Sequence, residues 1–157
     1  MATQPFIDLS APGASPTPHR RPLLCRLGLH VRVAVAANPS CPPGVLGRLA
    51  SDPARLVREK VAMNPSSPPG AIELVARDSD VWVRASVLHH PKCPPDLFVS
   101  LSRDWRPDVR QQVAASRVAP PEVLVMLLSD PVAQVRIAAF NNPALPRHVL
   151  AMWQFTH

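Results

Sequence analysis

Five arginines, Arg32, Arg58, Arg84, Arg110 and Arg136, follow one another at intervals of 26 residues, and four aspartates, Asp52, Asp78, Asp104 and Asp130, keep the same interval. Guanidinium groups at a fixed spacing suit two kinds of chemistry. They can meet successive phosphates as a basic stripe, or they can pair bidentately with carboxylates. Because cation and anion hold phase together, the favoured reading is a structural ladder within or between adjacent units. His89, His90 and Cys93 carry the donor atoms of a metal site. Such a site takes three or four converging ligands, and no fourth can be named, so neither a metal nor a cofactor is expected. There is no Gly-rich phosphate loop, no nucleophile elbow and no carboxylate pair outside the repeat phase. The chain therefore reads as non-catalytic, with no catalytic residue assigned.

The elements that position these side chains follow from the same period. Pro-Pro recurs at 42–43, 68–69, 94–95 and 120–121, and Asn-Pro at 38–39, 64–65 and 142–143. The third unit has His90-Pro91 at the Asn-Pro position and the fourth has Ser116-Arg117. In the second unit Asp52 reads as an N-cap and Pro53 as a first-turn residue, where a missing N–H costs nothing. Val57, Val61 and Ala62 then share one helical face. Asn64 precedes Pro65 and so leaves the α region, which ends the helix. Pro68-Pro69 starts a second helix with Ile72, Val75 and Ala76 inward, and two prolines in its first turn predict partial 3-10 character. Helices this short need neighbours. Val35, Val61, Val87, Val113 and Ala139 line up as one apolar column. Leu46, Ile72, Phe98, Leu124 and Leu150 form a second, and Leu49, Val75, Leu101, Leu127 and Trp153 a third. Stacking the five units makes each column continuous, which predicts an all-α fold, an α-solenoid of two-helix repeats.

Composition agrees. Of 157 residues, 46% are hydrophobic and 21 are Pro against 5 Gly, which disfavours turn-rich β folds. Residues 1–22, with five prolines among Ser, Thr and Ala, read as a disordered tail, and residues 23–157 as the solenoid. The three cysteines form no CxxC, which suits reduced thiols and a cytoplasmic location. No apolar run is long enough to span a membrane. The formal charge is +6, yet no run of Lys or Arg exceeds two residues.

The pattern VRxxVAxNP followed by PPxxLxxLAxDP resembles the leucine-rich repeat variant family and, more loosely, HEAT repeats. The match covers about residues 31–157 and is closest between Asp52 and Asp78. That resemblance implies a right-handed superhelix of alternating α and 3-10 helices. Some relatives hold an iron–sulfur cluster on N-terminal cysteines, but Cys25 alone stands there in this chain, so that feature is not carried over. The family has no shared activity to transfer. The expected function is a non-catalytic protein-interaction scaffold whose partner is another protein. The alternative is a HEAT-like solenoid that uses its positive charge to bind nucleic acid. Candidate surface residues are those that break the repeat: Trp82 (Leu56 in the second unit), Trp105 (Pro53 in the second), His89, His90 and Arg106. The two Trp rings suit an interface or the filling of gaps between units equally well. Met152 and Phe155 are left over beyond the core columns, which makes the C-terminal end a candidate for self-association.

Overall fold

The structure is a computed structural model that describes residues 27–146, 148 and 149. Segment 1–22 lies outside the described residues, as do Leu150, Met152, Trp153 and Phe155. The described chain is a stack of paired helices without a strand. The first helices of successive units are α1 (Leu29–Ala37), α3 (Arg55–Met63), α5 (Val81–Ser86), α7 (Pro107–Ala115) and α9 (Ala133–Phe140). The second helices are α2 (Pro43–Leu49), α4 (Pro69–Ala76), α6 (Pro95–Leu101) and α8 (Pro121–Leu127). Each second helix begins at the second proline of its Pro-Pro pair, which occupies N1, where the missing N–H has no partner to lose. All four are α-helical. The 3-10 geometry appears instead at Val87–His89, which closes the first helix of the third unit.

Most members of the predicted columns are buried among the described residues, although Val35 at the first unit is only half-buried. Val61, Val87, Val113 and Ala139 are fully enclosed, and Leu46, Ile72, Phe98 and Leu124 nearly so. First helices pack directly on first helices, whereas second helices touch one another far less. The first helices therefore form the more closely packed layer of the stack. The buried apolar residues form two clusters that meet between Val87 and Leu88, with Cys93 packed against both.

The ladder is present, and it runs between units. Arg32 binds Asp52, Arg58 binds Asp78, Arg84 binds Asp104 and Arg110 binds Asp130, each through Nε and Nη2 onto both carboxylate oxygens at 2.6–3.1 Å. The remaining Nη1 donates to the backbone carbonyl of the preceding aspartate: Arg58 to Asp52, Arg84 to Asp78, Arg110 to Asp104 and Arg136 to Asp130. One guanidinium thus touches the acid that opens its own unit and the acid that opens the next. Arg136 makes no such carboxylate pair among the described residues, and the sequence has Thr at the in-phase position 156.

The N-cap assignment of Asp52 is corrected by the structure. Helix α3 starts at Arg55 with Ala54 as its N-cap, and Asp52 and Pro53 lie before it. The carboxylate accepts the Ala54 N–H at 2.9 Å, as Asp78, Asp104 and Asp130 accept those of Asp80, Arg106 and Val132. It closes a turn while it faces the arginine, a pose that the first position of a helix would not permit. The side-chain N-cap in the third unit is Asp80, which accepts from the N–H groups of Trp82 and Val83.

The Arg84–Asp104 rung is enclosed, with side-chain exposures of 6% and 7%. Burial pushes the Asp104 carboxyl up. The Arg84 hydrogen bonds, the Arg106 N–H and the charges of Arg84 and Arg110 pull it down further, so its pKa falls below the ordinary carboxylate value. Asp130 is lowered in the same way by Arg110, the Val132 N–H and Arg136, against its burial. Replacing Arg84 with Ala strands a buried carboxylate, and chemical denaturation should record a loss of about 3–5 kcal/mol. An unchanged midpoint would show that the rungs carry no stability. The sign for pH follows from the lowered values. A carboxylate with a depressed folded pKa contributes its stability above the unfolded value of about 4, and loses it as pH falls through the folded value. Melting temperature should therefore drop as pH goes below about 4, and the drop should be shallower in Asp104→Asn.

Candidate functional site

A second set of inter-unit bonds comes from the Asn-Pro positions. Asn64 Nδ2 donates to the carbonyls of Ala36 and Asn38, both at 2.8 Å. Asn142 does the same to Ala114 and Ser116, at 2.7 and 2.8 Å. Each side chain clamps the end of the preceding first helix. His90 takes that place in the third unit. Its Nδ1 accepts from the Lys92 N–H at 3.1 Å, so the ring hydrogen sits on Nε2 and is donated to the Asn64 carbonyl at 3.0 Å. His90, one of the expected binding-surface residues, is a buried clamp with both ring nitrogens engaged. The same engagement removes it as a metal ligand, and among the described residues no three His, Cys, Asp or Glu side chains converge.

The fourth unit departs further. Ser116 is too short to reach back as Asn does, and its hydroxyl makes no hydrogen bond among the described residues. A cleft of about 220 Å³ opens there, lined by Leu88, His89, Gln112, Ala115, Ser116 and Arg117. A neighbouring cleft of about 320 Å³ is bordered by Arg55, Glu59, Trp82 and Ser86, and it shares His89 and Gln112 with the first. Together they make one trough across the first-helix face. It crosses the level at which the two apolar clusters meet.

Trp82 and His89 lie on this trough. The Trp82 ring is 53% exposed, which settles its place on the surface. The in-phase side chain on α3, Leu56, and the in-phase partner of His89, Met63, are also exposed. Helix α3 thus extends the apolar surface toward the first unit. Trp105 and Arg106 lie elsewhere, in the turn before α7. The Trp105 ring, 74% exposed, has the Arg84 and Arg106 guanidinium carbons 5.6 and 5.4 Å from its centroid. It covers the outer side of the most enclosed rung, a cation–π arrangement. Arg106 also pairs with Asp108 at 2.8 Å. The candidate residues therefore divide into a trough pair and a rung cover. Sequence reasoning did not single out Gln112, Leu56 or Met63. Their signal was the helical phase of Trp82 and His89.

A larger cleft, about 410 Å³, lies at the proline turns of the second and third units. Its walls are chiefly Pro65, Pro69, Ile72, Pro94 and Leu97, with Glu73 and Asp96 at the rim, and of the candidate residues only His90 borders it. What distinguishes the smaller trough is the exposed Trp82 ring at its edge. Burial raises the Cys41 thiol and pushes Cys93 up to about 11, so both stay protonated at neutral pH and are poor nucleophiles. No helix among the described residues is long and apolar enough to cross a membrane.

The junction that Ser116 leaves open yields a direct test. Ser116→Asn should restore both clamp bonds and raise stability by about 1 kcal/mol, read as a shift in the urea midpoint. A neutral or destabilising result would show that this junction is not the weak one.

A family model described as leucine rich repeat variant matches residues 29–54. No curated protein and no solved structure matches the chain. The matched stretch is one unit, from the start of α1 to the residue before α3, and the Val-Arg, Pro-Pro and Asp positions within it recur in register downstream. Residues 29–54 thus match a leucine-rich repeat variant unit, and the described residues as a whole are an α-solenoid in which the same positions recur in phase.

Proposed function

We propose that this solenoid is a non-catalytic interaction scaffold whose protein partner docks on the first-helix face. The observation that carries this reading is Trp82, an aromatic ring more than half exposed at the edge of a trough, with exposed Leu56 and Met63 in phase on the next helix. A large exposed aromatic at a cleft is a frequent anchor of an interface, because it buries much apolar area at little cost in side-chain entropy. The buried clamps and rungs beneath it hold that surface in place before a partner arrives, which lowers the cost of binding.

A second reading has its own observation. Trp105 stands exposed between two guanidinium groups, an arrangement on which a nucleobase can stack beside a cation. Against it, four of the five phased arginines are committed to carboxylates, which removes the regular basic stripe that phosphate binding would use.

Capture of partners from a lysate with the full chain, the Trp82→Ala chain and the Trp105→Ala chain separates the two. The scaffold reading expects a specific protein whose retention falls about tenfold or more with Trp82→Ala and changes little with added salt. Retained nucleic acid, lost with Trp105→Ala and falling steeply with salt, would favour the second reading.

A further inference from the structure

We propose that the occupant of the trough is an acidic peptide segment carrying at least one large apolar side chain. This rests on the reading of the first-helix face as a docking surface and adds the chemistry of what docks. The apolar requirement comes from Trp82 at one part of the trough and from Leu56 and Met63 beside it. The acidic requirement comes from which charges there are already neutralised. Glu59 is paired with Arg55 at 3.1 Å, and Asp108 with Arg106 at 2.8 Å. What remains is Lys60, in phase with Ser86 and Gln112 along the same row, and Arg117 at the far mouth. Neither has an ion-pair partner among the described residues. These two unpaired cations beside the trough suit a segment with carboxylates flanking an apolar residue, while a basic segment would meet repulsion from them.

The site is also built where the repeat is broken. Ser116-Arg117 replaces the Asn-Pro of other units. The first change removes a side chain that fills the junction elsewhere. The second places a cation at the opening this creates. In the junctions that keep Asn, the carbonyls 28 and 26 residues upstream accept its amide hydrogens. Here the corresponding carbonyls are those of Leu88 and His90, which receive no such donor. An amide N–H of the bound segment can take that place.

The test uses the full chain as bait for a display library of random peptides of about 16 residues, with the Trp82→Ala chain as counter-target. Enriched peptides are then titrated against Arg117→Glu and Lys60→Glu. Arg117 is exposed, so its replacement leaves the fold intact, and a thermal melt checks this. The expected outcome is a set of peptides with net negative charge and a large apolar residue. Their affinity should fall about tenfold or more with Trp82→Ala and severalfold with each charge reversal. Enrichment of basic or neutral peptides, or acidic binders indifferent to Arg117→Glu, would overturn the charge assignment. If such peptides still depended on Trp82, the scaffold reading would stand without it. A library that yields no binder would overturn the proposal too, and the scaffold reading would then be decided by the capture experiment alone.

Discussion

The stack depends on one bond pair: an arginine on each of α1, α3, α5 and α7 that grips, with two parallel hydrogen bonds, the aspartate opening the next unit. Helices of six to nine residues do not hold themselves together in water. Apolar columns make stacking favourable, but they are non-directional and would tolerate a slide or a rotation of one unit on another. A bidentate guanidinium–carboxylate pair does not. It sets distance and angle together, and the third nitrogen ties the same side chain to the backbone of its own unit. Removing these charges from water is costly. Every rung offsets that cost by satisfying both carboxylate oxygens, with the turn N–H adding a further bond. No buried side-chain polar atom among the described residues is left without a partner.

The asparagine clamps do the same work at the other end of the first helices. Rungs act where each first helix begins and clamps where it ends, so a unit with both is held at two points. The clamp is where this chain varies. His90 keeps one bond of two, Ser116 keeps none, and the apolar core divides at the same level. The trough lies there because close packing was given up there. A site that must admit a partner's side chain needs space and unclaimed polar groups, and both are destabilising in a junction that binds nothing. The rungs on either side, Arg84–Asp104 and Arg110–Asp130, are intact. They keep the two halves in register across the weakened level.

Much of this was legible in the residues. The period of 26 placed the units, proline pairs placed the starts of the second helices, and the in-phase Arg and Asp announced a ladder. These signals are local or periodic. Each depends on a backbone restriction, such as the fixed φ of proline, or on a repeat that any stacking must respect. The helix start at Asp52 was misread for a physical reason. Asp followed by Pro satisfies the local rule for an N-cap, but the carboxylate has a stronger partner 20 residues upstream, and that pairing draws it out of the cap.

What the sequence by itself determined is the unit, its copy number and the identity of the ionic partners, because those follow from chain-local restraints repeated in phase. Only the tertiary structure decided which unit each arginine reaches, that the first helices pack closest on one another, and which repeat-breaking residues face solvent. Trp82 and His90 break the pattern equally when read as letters. One is exposed because its helical position points away from both neighbours, and the other is buried because it inherits the inward position of an asparagine whose carbonyl partner lies 26 residues upstream. Exposure is a property of the neighbours that stacking supplies, and those neighbours are distant along the chain.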